Sequence, residues 1–290
     1  MELMIQTLIN GLLIGGIFIM IAVGFSLAFG VMDIIDFAVG EWVMLGAFAA
    51  YWIQTLFRID PLLMLPFVFL LFGAIGYGFQ PVLQSVINIK HRSAALMALA
   101  FTFGLSTFFR GTALTLWGFN NRNITTFLSE QSITIWGITL PALRCVATIT
   151  AVTMTVVFML FLNRTRTGIA IRAAAENKTV AGLMGIDSTK VSRLVYAMYA
   201  ALTGMAGVFI GAIFSVNPDM GLRYTAFAFF VVVVGGMGSL SGAIVAGLLL
   251  GLLASFVSVY IGGSYIFLIL FLFLFLMLIF LPKGVLGKGI

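Results

Sequence analysis

The chain has 290 residues, of which 62% are hydrophobic and 8% charged, and its formal net charge is +6. With a mean hydropathy of +1.20 it falls far outside the soluble class, in which about a quarter of residues carry charge. Its apolar runs are continuous for about 20 residues, the length an α-helix needs to cross about 30 Å of hydrocarbon, and lack the alternation of a membrane β-barrel.

In chain order, apolar segments cover roughly 5–29, 37–55, 61–84, 95–117, 142–162, 191–213, 224–236, 240–260 and 264–281. The first follows a single early charge, Glu2, with no basic n-region and no small-residue cleavage site, so it reads as a span and not as a cleavable signal peptide. The 224–236 piece is too short to span alone and runs into the Gly-rich joint "GGMGSLSG" at 235–242. The expectation is an all-α polytopic membrane protein, one domain over 1–290. It should have about eight segments, with broken or re-entrant helices among them.

Between the first two segments stands "MDIIDFAVGE", which holds three of the nine acidic residues, Asp33, Asp36 and Glu41. Two readings stay open. Asp36 is a good N-cap for a helix starting at Phe37, although the reciprocal capping box fails because Val39 occupies the N3 position. Alternatively the helix is broken inside the membrane, where irregular backbone is tolerated only against a cavity or protein and a carboxylate marks a pathway. On a helix from Phe37, Glu41 shares a face with Leu45, Phe48 and Trp52. The stretches 29–51 and 234–253 both place a Gly-marked break before a helix of small and branched residues, which suggests a weak internal repeat around a substrate path. Close helix packing at Gly242, Ala246 and Gly247 is the competing explanation. The candidate path residues are Asp33, Asp36, Phe37, Gly40 and Glu41, together with Gly235, Gly236, Gly238 and Ser239.

Ten of the fifteen basic residues fall in three places: 163–193, the loop near 85–95 with Lys90 and Arg92, and the tail with Lys283 and Lys288. The positive-inside rule puts all three in the cytoplasm and the N-terminus outside. No clustered basic face with interleaved aromatics suggests nucleic acid. Within 163–193, "GIAIRAAAENKTVAGLMGI" favours a short amphipathic helix, with Ile169, Ala173, Val180, Leu183 and Met184 at helical spacing. It reads either as a plain connector or as a docking helix for a cytoplasmic partner. On the second reading the contact runs from Arg172 to Gly185, past Gly182, and centres on Ala174, Ala175 and Glu176.

One cysteine, Cys145, and one histidine, His91, leave no multi-cysteine metal site and no His-based triad. No phosphate loop, nucleophile elbow or zinc-protease motif is present, so the sequence implies no cofactor and offers no means of hydrolysing ATP itself.

The N-terminal "GLLIGGIFIMIAVGFSLAFGVMDIIDFAVGEWVMLGAF", then "RTRTGIAIRAAAENKTVAGLMGI", "GGMGSLSGAIVAGLLLG" and the closing "LPKGVLG" occur in one order. Together they resemble the LivH-type permeases of branched-chain amino-acid ABC importers over nearly the whole chain. Where that family usually has Asn-Phe-Ala-His-Gly-Glu, this chain keeps Phe37, Ala38, Gly40 and Glu41 but has Asp36 and Val39. The resemblance implies a lipid-embedded permease of a bacterial inner membrane, paired with a second homologous permease subunit. Two cytoplasmic ATP-binding subunits would drive it, and an external solute-binding protein would deliver the substrate. It also implies a substrate among hydrophobic amino acids, urea and short amides, branched-chain amino acids leading. Two other functions compete: an ion- or proton-coupled secondary carrier using Asp33, Asp36 and Glu41, and a passive channel constricted at 235–242.

Overall fold

A computed structural model describes residues 2–87, 94–135 and 138–287. Lys90, His91, Arg92 and Lys288 therefore lie outside the described residues. The helices are α1 (Glu2–Met32), α2 (Val39–Phe57), α3 (Leu65–Ile87), α4 (Ala94–Trp117), α5 (Ala142–Arg164), α6 (Arg166–Glu176), α7 (Lys178–Leu183), α8 (Ser188–Ile213), α9 (Met220–Gly235), α10 (Leu240–Val257) and α11 (Ile266–Phe280). Six stretches are long and apolar enough to cross a membrane. They are α1, most of α3, most of α4, α5, α8, and the composite Leu240–Phe280, which joins α10 to α11 through π and 3₁₀ turns. That number does not fix the eight crossings expected, since α9 is shorter and the composite is interrupted. The polypeptide is also not wholly helical. Strands β1 (Ser132–Ile135) and β2 (Ile138–Pro141) pair antiparallel with Ile133 opposite Leu140, so the alternating "SITI" and "ITLP" form a small hairpin before α5.

Helices α1 and α8 form the centre. Their most apolar windows are 78% and 89% buried inside the protein, against 11% for α4. In hydrocarbon, apolar surface alone does not drive helix association, so close contact depends on small residues. Along α2 and α8, a Cβ at Gly46 would collide with the Gly204 carbonyl, and one at Gly207 with the Val43 carbonyl. Along α1 and α10, Gly15 and Gly251 meet backbone to backbone, and Ser255 donates to the Thr7 carbonyl at 2.9 Å.

The basic 163–193 stretch and the tail meet the C-terminal ends of α1 and α9, here called the basic end. Lys178 reaches Asp33 at 3.2 Å just beyond the last turn of α1, and the tail hydrogen-bonds back to α9 through Val285 N–H to the Val234 carbonyl at 2.8 Å. The single amphipathic helix expected over 168–186 is instead two, α6 and α7. Asn177 ends α6 and its side chain accepts from Thr179 and Val180 N–H, both at 3.0 Å, which starts α7. Gly185, at φ +83°, closes α7 in a left-handed conformation that suits glycine. Asp187 then caps α8, accepting from Thr189 and Lys190 N–H. The Lys190 N–H, with that of Thr189, holds the Asp187 carboxyl below the usual carboxylate range. A depressed native pKa means this cap contributes fully above about pH 4, the unfolded value, and is lost as pH falls further, through the lower native one.

The glycine contacts give a paired test. Gly46→Ala is expected to destabilise the protein by about 1–3 kcal/mol, because its methyl group meets backbone. Gly78→Ala has open space around it and should leave stability unchanged or raise it slightly, since alanine favours helix by about 1 kcal/mol. Thermal unfolding of both variants in detergent checks the contrast.

Candidate functional site

Two short helices meet near the middle of the bundle, and each is reached through non-helical chain. After α1 ends at the basic end, residues 33–38 climb back into the protein before α2 begins. After α8 ends at the opposite end, residues 214–219 descend before α9 begins. The antiparallel overlap is read from three contacts: Phe37 on Phe229 (ring centroids 4.8 Å), Gly40 on Thr225, and Glu41 on Gly221. The counterpart of the 33–38 break is therefore 214–219 and not the Gly-rich 235–242 stretch.

Irregular backbone at this depth needs partners, and the fold supplies them from three helices. Thr102 of α4 accepts from Phe37 N–H and donates to the Ile35 carbonyl, both at 3.2 Å. Thr225 of α9 accepts from Gly40 N–H at 3.0 Å and donates to the Phe37 carbonyl at 3.4 Å. Asp36, buried to 1% exposure, accepts from Ala38 N–H at 2.8 Å and from the hydroxyls of Tyr196 and Tyr199 on α8 at 3.0 and 3.1 Å. Asp36 is thus not the N-cap: Ala38 holds that position without a side-chain cap, and Asp36 clamps the turn before it. On the other side, Val216 and Arg122 exchange backbone hydrogen bonds at 2.8 and 2.9 Å, while the Arg122 guanidinium stacks over Tyr51 and Trp52.

Glu41 has no exposed surface. Its Oε1 accepts from Ser106 of α4 at 3.0 Å, whereas Oε2 has no hydrogen-bond partner among the described residues. The carboxylate lies against the first turn of α9, where any side chain at Gly221 would overlap it. One residue outside that turn, Asp219 makes no side-chain cap. Its Oδ1 accepts instead from Arg110 Nε at 2.6 Å.

The nine expected path residues thus separate. Phe37, Gly40 and Glu41 stand at the meeting of α2 and α9. Asp36 is enclosed behind them, and Asp33 is exposed at the basic end in the Lys178 ion pair. Gly235, Gly236, Gly238 and Ser239 form the turn between α9 and α10 at that same end. Gly236 and Gly238 adopt φ +98° and +82°, Gly238 packs on Gly30, and Ser239 caps α10 by accepting from Gly242 N–H at 3.1 Å. Ser106, Arg110, Asp219, Thr225 and the two tyrosines escaped the sequence reading. Arg110 carried a usable signal as the sole charge in the α4 run.

The architecture is that of a polytopic membrane permease in which helices α2 and α9, of 19 and 16 residues, enclose polar groups in the bundle. The chain belongs to the branched-chain amino acid transport system / permease component family, whose model matches residues 7–281. It is 31% identical over 299 residues to the high-affinity branched-chain amino acid transport system permease protein BraD of Pseudomonas aeruginosa, covering 98% of this chain and 96% of that one. The LivH permease protein of the corresponding Escherichia coli system is 30% identical with the same coverage. The ribose import permease protein RbsC of Haemophilus influenzae is 26% identical over 84% of this chain and 73% of its own length. No solved structure matches the chain.

The tyrosine clamp is directly testable. Either Tyr196→Phe or Tyr199→Phe leaves one hydroxyl on Asp36 Oδ2, whereas the double variant strands that buried oxygen at a cost of about 1–3 kcal/mol. Unfolding midpoints in detergent should show a loss for the double variant larger than the sum of the singles.

Proposed function

We propose that this chain is the permease subunit of a bacterial ABC importer in the inner membrane, forming the translocation path for branched-chain and other hydrophobic amino acids. Membership of the branched-chain permease family across residues 7–281 carries this reading. The path runs past the overlap of α2 and α9, where Glu41 and Gly40 stand, and leaves between Asp33 and the Gly235–Ser239 turn. The chain is a transport component and not an enzyme; ATP is hydrolysed by partner subunits. In the working complex it pairs with a second, homologous permease subunit and two cytoplasmic ATP-binding subunits, and an external solute-binding protein loads it.

The basic end is the cytoplasmic face and carries the coupling surface. Exposure supports a narrower choice of docking residues. Ala174, expected at the centre of the contact, faces inward at 2% exposure. Ala175, Glu176, Gly182 and Gly185 are exposed. Leu183 and Met184 stand out at 83% and 80% exposure, an apolar knob at the end of α7. Arg172, Lys178 and Lys190 belong to the same stretch of chain, with Lys178 on Asp33 and Lys190 on Asp187. A groove on an ATP-binding subunit, acidic at its rim and apolar within, fits this surface.

The secondary-carrier alternative required the three acids to act as one coupling site. Asp33, Asp36 and Glu41 instead engage Lys178, two tyrosines and Ser106 respectively.

Reconstitution tests the assignment. Proteoliposomes holding the complete complex and loaded binding protein should take up labelled leucine only with ATP inside, and vesicles without the ATP-binding subunits should take up none. Uptake by the permease alone would refute it. Leu183→Glu combined with Met184→Glu should reduce uptake by about tenfold or more through loss of docking, while the unfolding temperature of the membrane subunit stays unchanged because both side chains are exposed.

A further inference from the structure

The Arg110–Asp219 pair has a position that packing does not explain. Both side chains are well exposed, at 43% and 36%, yet Arg110 lies well inside α4 and Asp219 stands where α9 begins within the bundle. Charges at such depth do not face lipid; they face a water-filled cavity or another protein. Aspartate is among the best N-cap residues, yet Asp219 leaves α9 uncapped by its side chain and turns to Arg110. Beside the pair, Glu41 keeps one fully buried oxygen without a partner, next to the first turn of the same helix. Ser106 holds its other oxygen in place. The cluster therefore contains one cation, two carboxylates and one unused acceptor, set beside the start of a helix.

Resting on the permease reading above, we propose that Arg110, Asp219 and Glu41 form the transit site for the charged end of a zwitterionic α-amino acid. The solute's carboxylate replaces Asp219 on the Arg110 guanidinium. Its ammonium group is taken by the released Asp219 and the vacant Oε2 of Glu41. The exchange leaves both cations, the guanidinium and the ammonium, facing a carboxylate while the solute passes. It also keeps the site weak, because the solute must break an existing ion pair to enter it, and a carrier loaded by a separate binding protein must release what it receives. Phe37, Phe103 and Phe229 pack on one another along the chain from this cluster, Phe37 four residues before Glu41 and Phe103 three before Ser106, and offer the aliphatic side chain an apolar wall. An uncharged solute such as urea or a short amide would gain nothing from opening the Arg110–Asp219 pair, so the cluster favours the amino acid.

The test uses the complete transporter in proteoliposomes, with labelled leucine delivered by saturating loaded binding protein, so that affinity for the binding protein is common to all variants. The double variant Arg110→Gln with Asp219→Asn keeps a hydrogen-bonded pair but removes both charges. If the pair only braces α4 against α9, this neutral pair restores transport. If the pair handles the zwitterion, the assembled complex has its maximal uptake rate lowered by about tenfold or more, since close charge-pair contacts are commonly worth that much. Arg110→Lys, which keeps the charge, should recover part of the rate. Wild-type uptake by the neutral double variant would overturn the proposal while leaving the permease assignment intact. Absence of ATP-dependent uptake by the unaltered transporter would refute that assignment itself. Should the double variant fail to assemble, Glu41→Gln decides: a drop of about tenfold supports the site, and an unchanged rate overturns it.

Discussion

The constraint on which this structure depends is that two stretches of non-helical backbone, 33–38 and 214–219, run through a bundle built for hydrocarbon. Each exposed N–H or C=O there costs several kcal/mol unless it finds a partner. The solution is mutual. The starts of α2 and α9 lie side by side because Gly40 and Gly221 have no side chains to hold them apart, and Thr225 then reaches both the N–H of Gly40 and the carbonyl of Phe37. Thr102 serves the preceding peptide units, and Asp36 binds the turn to α8 through Tyr196 and Tyr199. Once both segments are fixed, the first turns of α2 and α9 lie side by side inside the bundle, and the polar residues there are held together.

The same arrangement joins the interior to the basic end. Asp33, in the left-handed conformation at φ +56° that Asp tolerates better than most residues, reverses the chain after α1 and pairs with Lys178 at the start of α7. The exposed end of α7 is therefore one ion pair from the segment that leads into α2. If α7 docks as proposed, a push on it would have a short physical route, through Lys178, Asp33 and the clamped turn at Asp36, to Glu41. The Gly236–Gly238 turn, with the tail folded over it and Gly30 against it, borders the same route.

The helices were legible because their apolar runs are long and unbroken, and the short α9 was recognisable by length alone. Glu41 and Gly40 drew notice because an acid is rare inside an apolar segment and a glycine there permits close approach, and both stand where α2 meets α9. Other features depended on tertiary returns that no local pattern announces. Asp219 sits in "SVNPDMGLR", which is polar enough to pass for an ordinary loop; only the descent of 214–219 from the end of α8 carries it inside. Glycine content drew attention to 235–242, but there the glycines permit positive φ and close approach to Gly30, Gly284 and Gly287 in a turn. The division between α6 and α7 was written in Asn177, a strong N-cap residue overlooked within a run of good helix formers.

The central claim is the antiparallel meeting of α2 and α9, and proximity tests it most directly. With Cys145 replaced by serine, cysteines at Phe37 and Phe229, whose rings are 4.8 Å apart, should be joined by a short thiol-to-thiol reagent in native membranes. Tryptic cleavage at the exposed Arg166 or Arg172, between the two positions, should then leave the fragments linked until the bridge is reduced. Fragments that separate despite complete modification of both cysteines would contradict this architecture.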